Sequence, residues 1–224
     1  MRPTHILFDL DGTLIDSAQA ILASYRTAFA ACGVTPVRAI VPEIVGPPID
    51  ATLRMLVGGD DPVLVARLAD AFKQSYDTGG LLETRAYPGI ADMLHALRAA
   101  DLTLSIATNK RIHPTLLILA HLGWRDLFAT VYALDLFSPR LPDKAAMIGR
   151  LLADQGIEAA RACYVGDRIE DGEAAGANAL PFVAATWGYG NPRAPQMGAR
   201  WRTVDTPAAL GRLLLEATCF NPRP

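Results

Sequence analysis

The 224 residues include 21 lysines and arginines against 23 aspartates and glutamates, a formal net charge of −2, and 51% of them are hydrophobic. That is enough apolar material for a continuous core, with no positive surplus to neutralise a nucleic-acid backbone or an anionic membrane surface. The three cysteines, Cys32, Cys163 and Cys219, are far apart and lack CxxC spacing or a nearby histidine pair. This argues against a disulfide framework or zinc site and fits reduced thiols in the cytoplasm. Asp9 and Asp11 interrupt the apolar run Ile6-Leu7-Phe8, which neither a secretory signal nor a membrane span accommodates. The expectation is a soluble cytoplasmic protein with neither nucleic acid nor membrane as partner.

In chain order, His5-Ile6-Leu7-Phe8 reads as a strand buried on both faces, with Asp9 at its carboxyl end. From about Asp16 to Tyr87 no convincing strand follows. Helical stripes occur instead: Ala18, Ile21, Leu22, Tyr25 and Phe29, then Val65, Leu68, Ala69, Phe72 and Tyr76. Past Tyr87-Pro88-Gly89 the pattern alternates. A helix on Ile90, Met93, Leu94 and Leu97 precedes a strand at Leu102–Ala107, and a second strand is expected at Thr130–Ala133. The stripe Met147, Ile148, Leu151 and Leu152 ends at Gly156, before strands at Ala162–Val165 and Phe182–Ala185. Alternation of this kind predicts an α/β fold, a doubly wound parallel sheet, with a small helical domain inserted after the first strand. The expected division is a core of residues 1–15 and 88–224 and a helical domain of residues 16–87. The last residues, Asn221-Pro222-Arg223-Pro224, read as an unpacked tail.

Polar groups stand at the predicted carboxyl ends of several strands: Asp9 and Asp11, Thr108 and Asn109, and Gly166-Asp167 with Asp171, while Lys144 opens the helix before the last of these. In an open parallel sheet that edge is where ligands bind. Carboxylates crowded there repel, by about 4 kcal/mol for a pair about 4 Å apart at an effective dielectric of 20, so a cation is required. The donors are all oxygens, which points to a hard ion such as magnesium, and magnesium also bridges phosphate oxygens.

Phe8-Asp9-Leu10-Asp11-Gly12-Thr13-Leu14-Ile15-Asp16-Ser17 resembles the opening signature of the haloacid dehalogenase-like hydrolases. Thr108-Asn109-Lys110, Lys144 and Gly166-Asp167-Arg168-Ile169-Glu170-Asp171 follow in that family's order, so the resemblance covers nearly the whole chain. The inserted helices are similar to the family's helical cap on a Rossmann-like core. Val45-Gly46-Pro47-Pro48-Ile49 and Thr186-Trp187-Gly188-Tyr189-Gly190 resemble segments of its phosphoglycolate phosphatase-like members.

The resemblance implies a magnesium-dependent phosphatase acting on a small phosphate ester: phosphoglycolate, pyrophosphate, a nucleotide or a sugar phosphate. Asp9 would be the nucleophile that becomes phosphorylated, and Asp11 the acid and base for leaving group and water. Gly12 would let the chain turn so that the Asp11 side chain swings away while its carbonyl faces the metal. Thr108 and Asn109 would hold phosphate oxygens and Lys144 would neutralise charge. Asp9, Asp11, Asp167 and Asp171 would form the metal site, Asp171 either as a ligand or as a group orienting one. One departure is that the lysine sits in Ser138-Pro139-Arg140-Leu141-Pro142-Asp143-Lys144 rather than a Lys-Pro-x-Pro context, so Arg140 competes with Lys144, although Asp143 suits the N-cap before Lys144. In the insertion, Gly46 and Pro47 are expected above the phosphate, with Arg54 or Arg26 reaching an anionic tail.

Plainer readings attach to other residues. Asp16 and Ser17 before an amphipathic stretch read as helix caps, the four histidines as structural or solvated, Cys163 as an inert buried thiol, and Trp187 and Tyr189 as cover for the sheet edge. Gly188-x-Gly190 lacks the rest of a dinucleotide fingerprint and no GxxxxGK[ST] is present. The competing functions are a capped phosphomutase sharing Asp9 and Asp11, and a receiver-like or non-catalytic phosphate-binding protein. A receiver domain is about half this length and keeps its phosphoacceptor off the first strand. Monomer and homodimer are equally compatible with the helical stripes.

Overall fold

The computed structural model describes residues 3–190 and 201–216. The tail expected at 221–224 and Cys219 lie outside the described residues.

The chain runs β1 (His5–Phe8), β2 (Ile15–Asp16), α1 (Ala18–Cys32), α2 (Ile49–Val57), α3 (Pro62–Thr78), β3 (Arg85–Ala86), α4 (Ile90–Ala99), β4 (Thr103–Thr108) and α5 (Ile112–His121). It continues through β5 (Thr130–Ala133), α6 (Lys144–Asp154), β6 (Ala162–Gly166), α7 (Ile169–Ala177), β7 (Phe182–Ala185), β8 (Trp201–Val204) and α8 (Pro207–Leu215). Six strands form one parallel sheet in the order β5-β4-β1-β6-β7-β8.

Period-two alternation divides the strand side chains between two faces. Ile6, Phe8, Leu104, Ile106, Cys163 and Val165 point into a core shared with α4, α5 and α8. Leu7, Ala107, Tyr164 and Phe182 pack into a second core with α6 and α7. The fold is therefore the doubly wound, Rossmann-like α/β sheet that the alternating pattern predicts. After β1 the chain builds β4 and β5 on one side and then crosses to build β6, β7 and β8 on the other. The switch point falls at the carboxyl end of β1, where a crevice opens between diverging connections.

Between β2 and β3 the segment is built on three α-helices, with α1 packed along α3 and α2 against α3. Tyr25, Phe72 and Tyr76 form an aromatic column in their core, with centroids 4.5 and 5.4 Å apart. Two two-residue strands escape the sequence reading. β2 and β3 pair antiparallel, Ile15 opposite Ala86 and Asp16 opposite Arg85, and join the roots of the insertion as a narrow neck. A pair this short carries no legible period; it forms because both chain passages must leave the sheet edge side by side. β8 was also not expected, since Trp201-Arg202-Thr203-Val204 is an edge strand with only Val204 buried.

Candidate functional site

β1 ends against β6, where the Asp9 amide donates to the Val165 carbonyl at 2.8 Å and fixes the start of the next turn. Leu10 accepts from the amides of Thr13, Leu14 and Ile15, and Gly12 sits at φ +82°. A β-carbon at Gly12 would fall on Asp167 Oδ2, so the glycine answers both a left-handed backbone and a close approach. Gly188 answers a close approach alone, its missing β-carbon facing the Gly12 carbonyl and Asp167.

Carboxylate oxygens of Asp9, Asp167 and Asp171 lie within 4.8 Å of one another, all buried. Lys144 Nζ is 3.1 Å from Asp9 Oδ1 and 2.5 Å from Asp171 Oδ1. Asp143 caps α6 by accepting from the Ala146 amide at 2.8 Å, which aims Lys144 from the first residue of that helix into the cluster. Arg140, the competing cation, instead bonds Asp50 of α2 at 2.9 Å. Asp171 accepts from the Arg168 amide through Oδ2 while Oδ1 takes Lys144, so both its oxygens already hold donors from the chain.

Burial raises the Asp9 carboxyl to about 6; the Lys144 charge opposes that shift, and Asp171 and Asp11 add to it. Asp167 is pushed up to about 7 by burial and by the charges of Asp171 and Asp9, against the pull of the Gly190 and Tyr189 amides. Burial alone would lower Lys144, but the Asp171 and Asp9 carboxylates hold it well above the usual lysine range. When all three carboxylates are ionised, one ammonium leaves two negative charges in a buried cluster. Asp167 Oδ1 has no hydrogen-bond partner there. An all-oxygen donor set with that residual charge and an orphaned buried oxygen fits a hard divalent cation.

Asp11 is turned away from this group. Its Oδ1 accepts from Ser17 Oγ at 2.5 Å, and Lys110 Nζ lies 3.0 and 3.2 Å from its two oxygens. Lys110 also reaches Tyr76 of α3 at 2.8 Å, so one ammonium links the end of β4, the turn after β1 and the insertion. Two roles at the site were not legible in the sequence. Lys110 stood beside Asn109 with no partner in view, and Ser17, taken as a helix cap, occupies the N-cap position of α1 but makes no side-chain cap bond. Its hydroxyl serves Asp11 instead.

The loop after β7 does more than cover the sheet edge. The Tyr189 and Gly190 amides donate to Asp167 Oδ2 at 2.7 and 3.1 Å. The Tyr189 hydroxyl accepts from the amides of Ser17 and Ala18 and donates to Asp16, and Trp187 Nε1 bonds the Thr13 carbonyl. Signals for these roles lay in two glycines that flank an aromatic residue, spacing that lets backbone amides approach a carboxylate.

Thr108, buried at the end of β4, accepts from the Lys110 amide at 3.2 Å. Asn109 Nδ2 donates to the Gly46 carbonyl at 3.1 Å, and Gly46 and Pro47 line the cleft beside Asp11. The expected partners of an anionic tail are elsewhere. Arg54 bonds Asp60 at 2.6 Å, about half exposed, and Arg26 donates to the Ile40 carbonyl; neither lines the cleft. The stripe that buries Leu53 and Leu56 turns the intervening Arg54 outward. Arg168 was likewise unassigned, yet it donates to the Val45 carbonyl at 2.7 Å, and a β-carbon at Gly46 would strike its side chain.

Residues 6–185 match the haloacid dehalogenase-like hydrolase family, and the chain belongs to it, with the phosphatases of the phosphoglycolate phosphatase-like group. The phosphoglycolate phosphatase of Xanthomonas campestris is 34% identical over 191 residues, 84% of this chain and 85% of that one. The tyrosine-protein kinase PtkA of Mycobacterium tuberculosis is 34% identical over 218 residues, 96% of this chain and 72% of that one. A predicted phosphatase from Clostridium acetobutylicum superposes with a TM-score of 0.87 at 26% identity, covering 96% of this chain and 99% of that structure. No helix among the described residues is long and apolar enough to cross a membrane.

Proposed function

We infer that the chain hydrolyses a small phosphomonoester through a phosphoaspartyl intermediate on Asp9, with magnesium as cofactor. The observation that carries this reading is the convergence of Asp9, Asp167 and Asp171 with Lys144 at the switch point of the sheet. Asp9 and Asp167 are the residues that would hold the ion, with Asp171 fixing Lys144 and the turn after β6. When bound, magnesium supplies charge neutralisation for phosphate oxygens and keeps Asp9 ionised.

An Asp9 oxygen attacks phosphorus, the bond from phosphorus to the ester oxygen breaks, and the departing alkoxide takes a proton from Asp11. Water then attacks the aspartyl-phosphate, gives its proton to Asp11 and releases phosphate with Asp9 restored. Thr108 holds an oxygen of the transferring group by a neutral hydrogen bond, and Lys144 balances its charge. Ser17 and Lys110 hold the Asp11 carboxylate in place between steps, and the residues 16–87 act as the cap that excludes bulk water.

The test is inorganic phosphate release from a panel of phosphomonoesters with magnesium and with EDTA. Turnover should require the metal and vanish in Asp9→Asn with the fold retained. The likeness to a tyrosine-protein kinase raises a second reading, in which a hydroxyl replaces water as acceptor. Single-turnover experiments that find the phosphoryl group on an acceptor alcohol rather than as free phosphate would select that reading, or a mutase, over the hydrolase.

A further inference from the structure

A cavity of about 260 Å³ lies beside Asp11 between the helical insertion and the sheet edge. Its wall on the insertion side is aromatic: Tyr25 and Phe72 with centroids 4.5 Å apart, and Tyr76 stacked on Phe72 at 5.4 Å. The rim carries four cations, and each already has a carboxylate. Lys110 is held by Asp11, Arg111 grips Asp77 through two bonds of 2.6 and 2.9 Å, Arg140 bonds Asp50 at 2.9 Å, and Lys73 bonds Asp70 at 3.0 Å. Arg111 and Asp77 are only 20% and 19% exposed, so their pair is poorly screened.

A carboxylate or second phosphate on the leaving group would have to compete with Asp77 for Arg111 or with Asp11 for Lys110, both poorly exposed pairs. The Arg140–Asp50 and Lys73–Asp70 pairs are about 40% or more exposed and are displaced at little cost. An uncharged ring has only to fill the apolar side of the cavity and face the aromatic column. Resting on the phosphatase reading above, we propose that the physiological leaving group is an uncharged alcohol bearing a flat apolar or aromatic ring, and that Phe72 is a specificity-determining residue. Among the described residues that line the cavity, every cation that could meet the anionic tail of a phosphoglycolate-like substrate already has a carboxylate partner.

The test compares benzyl phosphate, ethyl phosphate and 2-phosphoglycolate with magnesium present. All three release a primary alkoxide, so leaving-group chemistry is closely matched and the pocket decides. Benzyl phosphate should exceed both others in kcat/KM by about tenfold or more. Phe72→Leu keeps apolar bulk and should cut the benzyl-to-ethyl ratio of kcat/KM by about threefold or more, with the loss falling on benzyl phosphate more than on ethyl phosphate. If 2-phosphoglycolate is turned over as well as benzyl phosphate, the ring proposal is overturned while the phosphatase reading stands. An equal loss on all three esters in Phe72→Leu makes Phe72 structural and overturns its assignment. Release of phosphate from none of them, nor from p-nitrophenyl phosphate, removes the phosphatase reading and the proposal with it.

Discussion

Replacing Lys144 by methionine keeps the length and apolar stem of the side chain and removes its charge. The ammonium is 3.1 Å from Asp9, a contact with a gross attraction of about 5 kcal/mol at an effective dielectric of 20, and it is nearer still to Asp171. Part of this is offset because the ammonium no longer has to be desolvated, so the net loss of stability expected for breaking a buried pair is about 3–5 kcal/mol. Urea denaturation in EDTA at about pH 7.5 measures it. The loss should shrink at about pH 5, because carboxylates left without Lys144 take up protons there and no longer repel. Magnesium should recover part of the loss at the higher pH, by binding the folded state alone. A loss below about 1 kcal/mol in EDTA at the higher pH, or one that grows on acidification, would refute the picture of a carboxylate cluster held together by this lysine.

The wild-type protein without metal should itself be pH-sensitive. Asp9 and Asp167 are raised to about 6 and about 7, above their unfolded values, so their contribution is fully present below about pH 4 and is lost as pH rises through those values. Urea midpoints in EDTA should accordingly fall between about pH 4 and about pH 7 from these two groups, and magnesium should flatten the fall. Gly12→Ala places a β-carbon on Asp167 Oδ2 at a positive φ. It should cost about 1–3 kcal/mol and weaken magnesium binding, read together by calorimetry and thermal melts. Tyr189→Phe removes the hydroxyl that accepts from the Ser17 and Ala18 amides and donates to Asp16. It should lower stability by about 1–2 kcal/mol while magnesium affinity holds, because the Asp167 contacts come from backbone amides that the substitution leaves in place.

Sheet class and the chemistry-bearing positions were legible in local patterns of residues. Apolar runs such as Leu104 to Ala107 are buried on both faces and carry their signal in a few consecutive residues, while the stripe of α6 repeats at helical spacing. Asp9, Thr108 and Asp167 were legible as site candidates because each directly ends or follows such a run. The short pair β2 and β3 was not legible, since two residues have no period, nor was β8, with one buried side chain in four.

Pairing between distant residues emerges only when whole elements pack. Which of Arg140 and Lys144 approaches Asp9 depends on the direction in which α6 leaves its cap, and that turned Lys144 inward and sent Arg140 to Asp50. Lys110 meets Asp11 across 99 positions of chain, and Tyr189 meets Ser17 across 172. Arg54 faces away because burial of Leu53 and Leu56 fixed the rotation of α2. Local patterns encode burial and backbone conformation. A charge finds its counter-ion through the packing of whole elements, and no window of sequence contains that information.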